Sequence, residues 1–240
     1  MILVILRAFR VKNPSSTEGG HAPGGRGAKS EKDTKTVLRS LPRAARWYIA
    51  VMIGLGAAAF AGLVPRAQLS PVLPLICLVA LASLTSAFNV QFPIASGSNM
   101  SVSYVVIIAA VMMRGPHAAM ILGAFSGWAQ STFNAKDRNP PYRTLFNMSI
   151  LILTIEASGQ VYSRLGGSSA AGIGIIVPAV GVSVTYFLVN TVPIAVAIAL
   201  TTHQNAWRIW KRDLASSGPS YLLGAAAVSV VLEVSAASGW

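Results

Sequence analysis

Lys and Arg are spread very unevenly between the apolar stretches of this chain. Seven segments read as membrane helices, at 47–64, 71–89, 102–113, 117–133, 145–162, 171–201 and 219–237. If the gaps between them are numbered alternately from the N-terminal tail, one set holds 16 of the 19 basic residues and the other holds Arg66, Arg114 and Arg164 only. Basic loops stay on the cytoplasmic side of a membrane. The pattern predicts an all-α, polytopic membrane helix bundle of six to seven spans with its N-terminus in the cytoplasm. The compartment that follows is a bacterial inner membrane.

Composition agrees. The chain is 53% hydrophobic and 11% charged, whereas ordinary globular domains carry about 25% charged residues. That excludes a soluble enzyme, which needs a polar shell. The net charge of +12 does not indicate nucleic acid, because ten basic residues lie in the first 46 positions and most others flank apolar stretches. The partners this distribution predicts are the bilayer and anionic lipids at the basic tail and loops. A homodimer or a partner signalling protein is a further expectation.

Residues 1–45 are rich in Gly, Ser, Lys and Arg, and read as a disordered basic tail. The segment 102–113 has 12 residues, short against the ~20 that cross the hydrocarbon; it stays in the count because the downstream charge pattern needs it. The segment 171–201 is interrupted by Pro178, Asn190 and Pro193, and predicts a kinked helix or two half-elements. Residues 204–216 place Trp207, Trp210 and Leu214 on one face at helical spacing, with Arg208, Lys211 and Arg212 elsewhere. That predicts a helix lying flat in the cytoplasmic interface. Trp47, Trp207 and Trp210 are the expected interfacial anchors.

Polar groups inside spans are costly and mark either a functional site or a helix–helix bond. Glu156, Asn147, Asn190 and Glu233 are therefore the candidate ligand or sensing residues, with Glu156 and Asn147 expected to line one cavity between the fourth, fifth and sixth spans. Gly54, Gly62, Gly123 and Gly127 are expected to permit close helix packing. His117 follows a Gly-Pro turn as an interfacial histidine. Cys77, the single cysteine, reads as a small packing residue. No Ser-His-Asp set, clustered metal ligands, P-loop or GxGxxG is present, so the expectation is no catalysis, no metal and no cofactor.

Three stretches carry a resemblance: Phe92-Pro93-Ile94-Ala95-Ser96-Gly97-Ser98-Asn99-Met100-Ser101-Val102-Ser103, then Lys136-Asp137-Arg138-Asn139-Pro140-Pro141, then Thr144-Leu145-Phe146-Asn147. Their order and spacing resemble the N-terminal multi-helix membrane region of bacterial signalling proteins with a cytoplasmic HD-GYP phosphohydrolase or GGDEF diguanylate cyclase domain. The resemblance covers about 46–240. It implies a sensory or anchoring module in which Asn99–Ser103 and Phe146/Asn147 are conformational elements. Those proteins continue through one further helix into the catalytic domain, and this sequence stops at Trp240, so a truncated or degenerate copy is expected. The competing expectation is the substrate-binding membrane component of a vitamin-type uptake system. An autonomous secondary transporter ranks third, because no inverted repeat is visible.

Overall fold

Proline sets where several helices begin. A helix's first N–H groups have no intrahelical partner, so a residue without an N–H sits there at no cost. Pro42 precedes α1 (Arg43–Leu63), Pro116 opens α4 (Pro116–Phe133), and Pro140-Pro141 opens α5 (Pro141–Arg164). The computed structural model describes residues 41–87, 103–133, 140–167 and 172–237. The remaining α-helices are α2 (Val72–Ala87), α3 (Ser103–Arg114), α6 (Ile176–Thr202), the single turn α7 (Ala206–Ile209) and α8 (Gly218–Ala237). Among the described residues there is no strand, and the chain is an all-α bundle.

Among the described residues, four helical runs are long and apolar enough to cross a membrane: Arg43–Arg66, Pro141–Arg164, Ile176–Thr202 and Ala206–Val234. The count among the described residues therefore differs from the six to seven spans expected. At 1.5 Å per residue, α2 and α3 reach roughly 24 Å and 18 Å against a hydrocarbon core of about 30 Å. α4 is not apolar enough to stand among lipids, and it does not need to be. Ten of its 18 residues are buried by neighbouring helices, Ser126 and Ser131 among them. Ser126, for example, hydrogen-bonds Ser86 of α2.

Three expectations change. The first concerns the tail, whose last residues are built into the bundle: Leu41 is buried, and α1 starts at Arg43. Next, of the two readings of the Pro-interrupted segment, the pair of half-elements falls away: a 3-10 turn (Gly172–Ile175) leads into one helix, α6, with Pro193 inside it. Pro193 offers its carbonyl to the Tyr48 hydroxyl at 3.2 Å, which ties α1 to α6. Finally, the residues expected to lie flat do not. His203 closes α6 in the left-handed region (φ 55), and the Asn205 side chain accepts from the N–H groups of Trp207 and Arg208 at 2.9 and 3.3 Å. From this cap the chain turns back along α6 through α7, a π segment (Trp210–Leu214) and a 3-10 turn (Ala215–Ser217) into α8. Gly218 meets Phe187, fifteen residues from the end of α6, or about 22 Å along its axis. The expected interfacial helix and last span are one helical run.

Packing sorts the charges. Leu41, Tyr142, Ile198, Ile209 and Leu214 share one core cluster. That brings the starts of α1 and α5, the end of α6 and the turn α7 to one end of the bundle, with Arg43, Arg46, Arg143, Arg208, Lys211 and Arg212. At the other end, Arg66 closes the 3-10 turn after α1 (Val64–Arg66) and Arg114 and Arg164 close α3 and α5; Arg114 donates to the Pro71 carbonyl at 2.8 Å.

Candidate functional site

Glu156 lies about two-thirds along α5. Its Oε1 accepts from Gln160 Nε2, one turn on, at 2.9 Å. Its Oε2 is buried and has no hydrogen-bond partner among the described residues; His117 Nε2 lies 3.9 Å away. His117 is the second residue of α4, held there by Gly115 at φ 79 and by Pro116, whose ring fills the space beside Gly159. The side chains are 32% and 14% exposed, so solvent or a small solute reaches the histidine more readily than the carboxylate. A carboxylate oxygen held out of water without a donor is under-satisfied. A protonated imidazole, an added proton or an incoming donor would each satisfy it.

Asn147 does not share that site. Nine residues at 100° each put it on the opposite face of α5 from Glu156, about 13 Å along the axis. The expected common cavity is therefore not formed. Asn147 is a brace: its Nδ2 is 3.3 Å from Gly127 O, Gln130 Oε1 and Ser131 Oγ, all on α4. Thr154 and Ser158, seven and eleven residues on, share its face. Both hydroxyls are fully buried, with no hydrogen-bond partner among the described residues. The spacing i, i+7, i+11 was readable as a polar stripe, but these hydroxyls were not singled out.

Asn190 of α6 donates to the Tyr221 hydroxyl at 3.3 Å, while its own Oδ1 is buried with no hydrogen-bond partner among the described residues. Around it the sequence reading missed a tyrosine cluster. Tyr104 of α3 donates to the Tyr221 carbonyl, and its ring packs edge-on to Tyr186 (5.0 Å, 68°) and Tyr221 (4.6 Å, 63°). Phe187 extends the cluster to Trp210 at 5.7 Å, and the Trp210 indole N–H donates to Thr191 Oγ1 at 2.9 Å. One contiguous set of contacts thus runs from α3 through α6 to the 206–217 segment. Trp210 is half-buried within it rather than a free anchor, whereas Trp47 and Trp207 are exposed. Replacing Trp210 with Phe is expected to cost about 1 kcal/mol and to loosen 206–217 selectively. Proteolysis of that segment in the folded protein measures this.

Glu233 is half-buried on α8 and lies apart from Glu156. It borders a groove of about 840 Å³ between α6 and α8, whose other walls are mostly aliphatic, with Ser183 and Ser229. Among the described residues no group of three His, Cys, Asp or Glu is placed to hold a metal. The resemblance stretches at 92–102 and 136–139 lie outside the described residues, as do residues 1–40 of the tail.

No curated protein and no solved structure matches the chain. The model of the MASE9 family matches residues 70–236, from just before α2 to almost the end of α8. That span covers more than half the sequence and contains Glu156, His117, Asn147, Asn190 and the tyrosine cluster. By this match the chain belongs to MASE9, a family of membrane-associated sensory domains.

Proposed function

We propose that the protein is a sensory module embedded in the bacterial inner membrane, with no catalytic chemistry of its own. In this reading the input is taken at the Glu156–His117 pair and passed across the bundle to the basic, cytoplasmic end. The observation that carries it is the buried Glu156 Oε2, unsatisfied and facing a histidine that solvent can reach. Such a pair has two arrangements, depending on whether a proton or donor joins it, and a bistable contact of this kind is what a sensor needs. α5 carries the change toward α6. The tyrosine cluster and the Trp210–Thr191 bond link α6 to the 206–217 segment. The resemblance to membrane regions of HD-GYP and GGDEF proteins supports an output of cyclic-dinucleotide type, delivered by a cytoplasmic signalling partner.

The test uses the full chain in lipid nanodiscs and a proton as the probe. Hydrogen exchange in residues 203–217, corrected for intrinsic rates, is followed from about pH 7.5 to about 5.5. The expected result is a several-fold change in protection there and around 115–120, lost in Glu156→Gln. Equal protection of 203–217 at both pH values, or a response retained in Glu156→Gln, would refute the reading.

A further inference from the structure

Arg43, Arg46, Trp47 and Ala50 share one face of α1 at i, i+3, i+4, i+7 and line a pocket of about 410 Å³. Arg43 and Trp47 are exposed and Arg46 is half-buried. α1 contains no acidic residue, and among the described residues no carboxylate pairs with either arginine. Asp213, the acid nearest in character at this end, is already taken by Arg212, with contacts of 2.7 and 2.8 Å. Among the described residues, two guanidinium groups without a counter-charge therefore converge on one pocket. Their planar forks match the oxygens of a phosphate, and the indole of Trp47 suits the headgroup level of a bilayer.

The same face continues along α1 through Ala50 and Gly54 to Ala61, all exposed, and a side chain added at Gly54 would meet nothing within 4 Å. The opposite face, at Ala45, Ile49 and Gly56, is the buried one. A low apolar strip thus leads from the charged pocket toward the middle of the helix. A second copy of the chain would bring two more arginines against these two, and like charges facing each other across an interface are unfavourable. We propose that Arg43, Arg46 and Trp47 bind the phosphodiester headgroup of an anionic phospholipid, one acyl chain of which lies along Ala50 and Gly54. α1 precedes the 70–236 family match, so this site is a property of this chain beyond that match.

The test is native mass spectrometry of the full chain released from micelles holding equal phosphatidylglycerol and phosphatidylcholine. Wild type is expected to retain one phosphatidylglycerol in preference to phosphatidylcholine. Arg43→Gln/Arg46→Gln should lose that preference by roughly thirty-fold, about fivefold per arginine near an anionic surface. Arg208→Gln/Lys211→Gln at the same end should keep it. Because the double variant could insert poorly, the second arm uses wild type alone. Raising salt to about 1 M, where the screening length falls to ~3 Å, should weaken retention, and millimolar inorganic phosphate should not displace the lipid. Equal retention of the two lipids, an unchanged double variant, displacement by free phosphate, or a dimer in place of the lipid adduct would each overturn the proposal.

Discussion

Gly56→Ala is expected to destabilise the bundle by about 1–3 kcal/mol or more, although alanine is the better helix former by roughly 1 kcal/mol. The added methyl would overlap the Cα, Cβ and Oγ of Ser149 on α5. A backbone Cα cannot rotate aside, so α1 must back away from α5, and the bond from Ser149 Oγ to the Ile53 carbonyl, already at 3.5 Å, is lost with it. Gly159→Ala should behave alike, because its methyl would meet the Pro116 ring, which has no rotamer to escape into. Gly127→Ala is intermediate, at 3.1 Å from the Met148 Cα, and Gly123→Ala is milder, because the obstacle is the movable tip of Ile155. Gly54→Ala and Gly62→Ala should cost nothing, since nothing lies within 4 Å of the added atom. Unfolding of the full chain in micelles, measured thermally or by steric trapping, gives the order. A Gly56→Ala protein as stable as wild type would mean that α1 and α5 do not approach this closely.

That order shows where sequence reading stops in a membrane protein. Helices were legible because apolar runs, proline starts and the uneven placement of Lys and Arg each have a direct physical cause. Faces were not, because the surface toward lipid is as apolar as the interior. Val51 and Leu55 are exposed while Ala45 and Gly56 are buried, so hydropathy ranks them the wrong way round. Gly54 and Gly62 therefore looked equivalent to Gly123 and Gly127, and Gly56 and Gly159 were passed over. Part of the candidate site was within reach: the nine-residue spacing of Asn147 and Glu156 already excludes a shared face at 100° per residue. The tyrosine cluster was not, since Tyr104 and Tyr221 are 117 positions apart and nothing local to either announces the other.

The 204–216 segment gives the other large expected effect. Ile209→Ala should cost about 2–5 kcal/mol, and Trp207→Ala under about 1 kcal/mol. A 3.6-residue period puts Trp207, Trp210 and Leu214 together and leaves Ile209 aside. That period does not hold across Trp210–Leu214, which form a π segment. In a π turn the repeat is i to i+5, and this brings Ile209 and Leu214 to the same side. Both are at most 2% exposed, packed in the cluster with Ile194, Ile198 and Tyr142. Trp207 points away, 65% exposed, with its ring stacked on Trp210 at 5.2 Å and 20°. Truncating Ile209 removes close contacts that the rest of the cluster cannot replace without moving the start of α5 or the end of α6. Truncating Trp207 exchanges ring–ring contact for lipid or water. The two reverse in rank if the segment lies flat with its tryptophans inward, so the pair of unfolding measurements decides between the π register and the α period.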